Sequence, residues 1–179
     1  HICGSHGGVH TGSDGSSAQS IEDLSLYRSI PKMTVIHPCD YFSAEELTVN
    51  LLGLDGPSYM RTARNRTSRI YDDDSARSLE IGKGCVLRSG PDAAIISCGI
   101  MVEKSLEAAE ILHEEGIECT VVDMHTIKPI DVDLLAELAD ECGCFVSAED
   151  HSVIGGLGSS ISEWLVSHYP APLEMIGVR

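Results

Sequence analysis

The chain has 179 residues, 28 acidic against 12 basic side chains, and a formal net charge of −16. This balance excludes nucleic acid as a partner, because phosphate binding needs Lys/Arg clusters that are absent here. No run reaches the ~18 apolar residues of a membrane span, while 42% hydrophobic content suffices for the core of one domain or one and a half.

The first residues, His1-Ile2-Cys3-Gly4, read as the end of a strand, with no initiator Met and no secretory signal. A fragment that begins inside a domain is therefore expected. The Gly-rich stretch from His6 to Gly15 follows, then Ser20 with Asp23 in the pattern of a capping box that uses Asp in place of Glu. Ile21, Leu24, Leu26 and Tyr27 form an apolar helical face that Pro31 ends. "MTVIHP" (33–38) is a short β-rich run, Ser43 with Glu46 is expected to cap a helix through Leu51 to Gly53, and "PSYMRTARN" (57–65) reads as another strand. The pattern then breaks: residues 65–84 are polar, charged and Gly-bounded, and residues 71–84 are assigned as a linker. Beyond it come a strand at "AAIISCG" (93–99), a helix through Val102, Leu106, Ala109 and Leu112, and a strand at "CTVVDM" (119–124). A helix over 131–142, a strand at "CFVSAE" (144–149), a helix ending at His168 and a strand at "LEMIGV" (173–178) complete the chain. Alternating strands and helices of this length predict an α/β fold with a parallel sheet covered on both faces.

Seven cysteines, an odd number scattered through apolar runs, read as small buried hydrophobes of a reducing cytoplasm. Cys142-Gly143-Cys144 has no second pair at zinc-site spacing, so no metal site is expected there. "GGLG" (155–158) before a helix suits either an anion at the helix N-terminus or a structural turn. It is not a dinucleotide fingerprint, because Ile161 stands where the third glycine would be. In the first loop, glycines permit close backbone approach to a ligand, and His6, His10 and Asp14 exchange protons or hydrogen-bond hydroxyls. A surface turn with solvated histidines is the competing reading.

These elements follow the order of the transketolase family's motifs. The chain has His6, Asp14-Gly15 eight positions on, Gln19, Arg28-Ser-Ile-Pro31 and Pro38-Cys-Asp40. Arg64 then matches the family's arginine after the next strand, and "DMHTIKPID" (123–131) and "EDHSVIGGLGSSISEWL" (149–165) resemble segments of its C-terminal domain. The resemblance covers nearly the whole chain. It implies part of a pyrimidine-binding domain over 1–70 and a Rossmann-like transketolase C-terminal domain over 85–179.

It implies further a thiamine diphosphate enzyme that moves a two-carbon ketol unit between sugar phosphates. His6 and Asp14 would be catalytic and substrate-binding residues, Arg64 would grip the substrate phosphate, and His10 and Gln19 would neighbour the cofactor. An arginine fork suits a phosphate, and a carboxylate accepts hydroxyl hydrogen bonds. Two departures stand out. Ala18 replaces the family's second histidine, with His10 as the nearby candidate substitute. The family's catalytic Glu, the aromatic residues that stack on the pyrimidine, and the diphosphate and Mg2+ site all lie upstream of the motifs found here. The expected partner is an N-terminal transketolase section or subunit, in a homodimer or a heterotetramer, and a fragment alone would be inactive. In this frame Glu149, Asp150 and His151 are architectural. Alternatives within the same architecture are a deoxyxylulose-phosphate synthase or a 2-oxoacid dehydrogenase β-subunit, and outside it a non-catalytic assembly module.

Overall fold

The computed structural model describes residues 1–179, and its nine strands divide into two sheets. The first sheet has the order β1 (Ile2–Gly4), β3 (Ser58–Arg61), β2 (Thr34–Ile36), all parallel, and β7 (Thr126–Lys128) joins it antiparallel to β2. The second has the order β4 (Cys85–Pro91), β6 (Cys119–Asp123), β5 (Ala93–Ser97), β8 (Phe145–Ser152), β9 (Leu173–Val178). Four of its strands are parallel, and β4 runs antiparallel along the β6 edge. The helices are α1 (Asp23–Arg28), α2 (Tyr41–Leu52), the short α3 (Asp73–Ala76), α4 (Met101–Glu114), α5 (Val132–Glu141) and α6 (Leu157–His168).

Alternation along the central strands assigns the helices to faces. Ala94, Ile96 and Val122 point to one side, where they join Leu135 and Leu138 of α5 and Ile161 and Leu165 of α6. Ile95 and Val121 point to the other and meet Ala109, Leu106 and Leu112 of α4. Both faces are buried, which is why β5 and β6 read as continuous apolar runs rather than alternating ones. The larger core also contains Leu24, Met33, Val35 and Tyr59 from the first half of the chain, so one apolar cluster runs through both sheets.

The structure corrects several expectations. The sheets are mixed rather than purely parallel, because β4 and β7 run antiparallel and neither was anticipated as a strand. Ser20 does not cap α1: Glu22 holds the N-cap position without a side-chain bond, and the Ser20 backbone pairs with Gly8 instead. Asp40, not Ser43, caps α2, with Ser43 as the reciprocal member of a capping box. The polar stretch beyond Asn65 is no loose connection, since Tyr71, Ala76 and Leu79 are buried against Leu47 and Leu51 of α2. Asp40 fixes that stretch as well, its Oδ2 accepting 2.8 Å hydrogen bonds from both Ile70 N and Tyr71 N.

Candidate active site

The carboxyl ends of β1 and β3 lie side by side, the usual place for ligands on a parallel sheet. His6 follows β1 in a left-handed conformation (φ 64°), and Arg64 follows β3. Between them the Gly-rich stretch forms a loop whose neck is closed by Gly8 and Ser20: Gly8 N donates to Ser20 O and Ser20 N to Gly8 O. Asp14 sits at the far end, in a short 3-10 turn over Gly12–Asp14.

The fold brings His6, Asp14 and Arg64 together. Arg64 Nε–H donates to Asp14 Oδ2 at 2.7 Å, and His6 Nε2 lies 3.3 Å from the same oxygen. The bond from Arg64, reinforced by the charges of Arg64 and His6, holds the Asp14 carboxyl below its usual range, so it is an ionised acceptor at neutral pH. Ser5 Oγ lies 2.8 Å from His6 Nδ1 and orients the ring. Arg64 has a side-chain exposure of 42% and uses only Nε on Asp14, which leaves both terminal nitrogens without a protein partner.

His10 and Gln19 are placed differently. The His10 side chain is exposed and apart from this group, and only its backbone is engaged: its N–H donates to Asp150 and its carbonyl accepts from Asn65 Nδ2. Gln19 Nε2 donates to Val9 O at 3.3 Å and so braces the loop from within. Ala18, half-buried in a 3-10 turn, presents no polar atom. Beside the three-residue group, a cleft of about 330 Å³ opens at the carboxyl ends of β2 and β3, with Tyr41, Thr62, Asn65, Arg66 and Thr67 among its walls. His6, Asp14 and Arg64 do not line this cleft, although the chain neighbours of Arg64, Ala63 and Asn65, do.

Beneath the loop lies a buried network that sequence reading passed over. Arg61 is fully buried, its Nε 3.2 Å from Asp23 Oδ2, and its Nη2 donates at 2.8 Å to both Ser20 O and Asp150 O. Asp23 also accepts from Tyr59 Oη at 2.6 Å, and Tyr59 stacks on Tyr27 with ring centroids 3.8 Å apart. A Cβ at Gly7 would overlap the Arg61 guanidinium, and one at Gly8 the Asp150 carboxylate. These two glycines therefore admit protein side chains rather than a ligand. The signals were present as a Gly-Gly doublet and an arginine at the end of a short strand, directly after Tyr59 and Met60.

Glu149, Asp150 and His151 lie at the end of β8, with His151 Nδ1 3.5 Å from Glu149 Oε2. Glu149 accepts at 2.8 Å from Leu157 N and Gly158 N, so the N-terminus of α6 already holds an anion from the protein itself. A Cβ at Gly156 would overlap that carboxylate, which explains the glycines before α6. His151 Nε2 accepts from Ser25 N at 3.4 Å. The chain has no group of three or more His, Cys, Asp and Glu residues disposed to hold a metal ion, and none of its helices is long and apolar enough to cross a membrane.

Comparison with known proteins adds to this geometry. A family model described as the transketolase C-terminal domain matches residues 82–179, and one described as the transketolase pyrimidine binding domain matches residues 1–69. The putative transketolase C-terminal section of Methanocaldococcus jannaschii is 41% identical over 167 residues, 93% of this chain and 52% of its own length. The 6-deoxy-6-sulfo-D-fructose transketolase subunit SqwH of a Clostridium species is 40% identical over 178 residues, 99% of this chain and 55% of its own. A solved structure described as a split gene transketolase, inactive beta4 tetramer, superposes with a TM-score of 0.92 at 42% identity, covering 99% of this chain and 57% of that one. The chain thus spans about half the length of the curated relatives it matches.

Proposed function

The chain belongs to the transketolase family, and from that premise we propose that it is the C-terminal portion of an enzyme that transfers a two-carbon ketol unit between sugar phosphates. The observation that carries the reading is the convergence of His6, Asp14 and Arg64, whose terminal nitrogens have no protein partner, at the carboxyl ends of β1 and β3. In this reading the two free nitrogens of Arg64 grip the substrate phosphate as a bidentate pair. Asp14, ionised beside Arg64, accepts a hydrogen bond from a sugar hydroxyl, and His6 donates to or accepts from a neighbouring oxygen of the same sugar. The ion pair between Asp14 and Arg64 keeps both groups in position before substrate arrives.

The cofactor in this reading is thiamine diphosphate with Mg2+, which supplies the carbanion chemistry. The side chains of this chain do not fit a diphosphate-bound metal, since no three potential ligands converge. We therefore assign that site and the catalytic Glu to an N-terminal section or subunit. The assembly is multimeric and works in the cytoplasm. Alanine at 18 removes a polar contact to the sugar and shifts the preferred substrate away from that of ordinary transketolases.

Arg64→Ala tests the reading in the assembled enzyme. Losing a charge-assisted fork costs about 1.5–3 kcal/mol, so kcat/KM for a phosphorylated ketose should fall roughly 10- to 100-fold. An unphosphorylated ketose should lose clearly less, since it loses only the support that Arg64 gives Asp14 and never used the fork. Equal losses for both donors would remove the phosphate role. Turnover of pyruvate in place of a ketose phosphate would favour a deoxyxylulose-phosphate synthase reaction instead.

A further inference from the structure

We propose that Asp150, in the C-terminal half, is a positioning residue for the substrate loop: its carboxylate holds Val9 and His10 and through them sets where His6 and Asp14 stand. The inference rests on the reading of His6 and Asp14 as substrate ligands. Its own foundation is geometric. Asp150 Oδ1 accepts from Val9 N at 2.9 Å and Oδ2 from His10 N at 3.3 Å, across 141 and 140 residues of sequence. The residue is 7% exposed, so this is a nearly dry carboxylate whose two oxygens are both committed to loop amides.

Asp150 is the anchor that comes from the C-terminal half; within the first half, Asn65 Nδ2 donates to His10 O, Gln19 Nε2 to Val9 O and Arg64 Nε to Asp14. The loop's neck is closed by the Gly8–Ser20 pair, and Arg61 ties that pair to Asp150 by donating to Ser20 O and to the Asp150 carbonyl. Beyond the neck, Val9 and His10 lead directly into the turn that carries Asp14. His6 precedes it by two residues, and Gly8 is held in a left-handed conformation (φ 76°) with no room for a side chain over Asp150. The strand bearing Asp150 is itself fixed on both sides of it. Glu149 is bonded to the start of α6, and Ser152 N donates to Ile21 O at 2.9 Å, just past the loop. The end of β8 is thus a rigid post against which the substrate loop is registered. Hydrogen bonds weaken steeply once donor and acceptor leave their geometry, so a post of this kind has a direct effect on the affinity of a sugar site.

The test compares Asp150→Asn and Asp150→Ala with the wild-type assembly by amide hydrogen exchange and by steady-state kinetics. Asn keeps the shape and one acceptor but turns an NH2 donor toward the other amide; Ala removes both acceptors. Exchange over residues 7–19 should quicken at least about tenfold in Asp150→Ala and less in Asp150→Asn, with β5 and β6 unchanged. KM for the ketose phosphate should rise about tenfold while kcat moves less than about threefold, because the loop binds substrate in ground and transition states alike. Unchanged exchange in the loop would overturn the inference. So would faster exchange spread through β5 and β6, or a loosened loop with unaltered KM. Absence of ketol transfer by the wild-type assembly would defeat the proposed reaction, and the exchange result would then decide the clamp by itself.

Discussion

Asp123 carries a carboxyl that the fold closes off from water. It ends β6 fully buried, with Oδ2 accepting from Tyr71 Oη at 3.0 Å and from Cys39 Sγ at 3.4 Å, while Oδ1 has no partner. Burial pushes its pKa up to about 7; the bonds from Tyr71 and Cys39 oppose that shift, and the charge of Asp40 adds to it. The unfolded chain ionises this group near its ordinary 3.8, so between about pH 4 and pH 7 the folded state holds a proton that the unfolded state has released. The group's stabilising contribution is therefore complete below pH 4 and is lost as pH rises through about 7, on the order of 4 kcal/mol in all. Asp123→Asn mimics the protonated form. Denaturant unfolding at pH 5 and pH 8 should show the variant gaining on the wild type at the higher pH by an appreciable part of that amount. Parallel pH profiles for the two proteins would contradict the assignment. Tyr71, which reaches Asp123 from the connecting stretch, makes this carboxyl part of the seam between the two halves.

Among the elements, α6 depends most on a single side chain. Glu149 is 2% exposed and satisfies two of the amides that a helix start leaves unpaired. Glu149→Gln removes the charge and places a donor against one of those amides, at a cost of about 1–3 kcal/mol. Chemical denaturation would measure it, and a change within about 0.3 kcal/mol would mean that the helix start is satisfied in another way. The elements also show what is legible in sequence. β5, β6 and β8 stood out because apolar runs bounded by glycine and polar residues mark strands buried on both faces, β9 as an apolar run although it is an edge strand with an exposed face, and α4 and α5 because their apolar residues recur at helical spacing. β7 was invisible: Thr126 to Lys128 forms a strand only because β2 offers a free edge, and its partner is about ninety residues away in the chain. The first capping box was misplaced for a similar reason. Ser20 has a cap's side chain, but its backbone is committed to Gly8 and Arg61, contacts that exist only after the chain has folded. His6, Asp14 and Arg64, the residues proposed to hold the substrate, were singled out through ordered motifs, whereas the bonds of Asp150 to Val9 and His10 were not foreseen, since they span about 140 residues.

At the scale of the whole molecule the two halves are coupled rather than merely joined. β7 from the second half completes the first sheet, one apolar cluster crosses between the sheets, and Lys128 Nζ donates to the carbonyls of Arg28 and Ile30 at the end of α1. Arg28 in turn donates to Gly155 O at 2.7 Å and pairs with Glu163 of α6. The registration of the Gly-rich loop against the end of β8 is one more contact in this coupling. The most direct test of the account takes the complete assembled enzyme that contains this chain, loads it with thiamine diphosphate and Mg2+, and follows two-carbon transfer from a ketose phosphate to an aldose phosphate. The account predicts turnover that requires the cofactor and is largely lost with Arg64→Ala for phosphorylated donors. A fully assembled, cofactor-loaded complex that transfers no ketol unit from any ketose phosphate would contradict it.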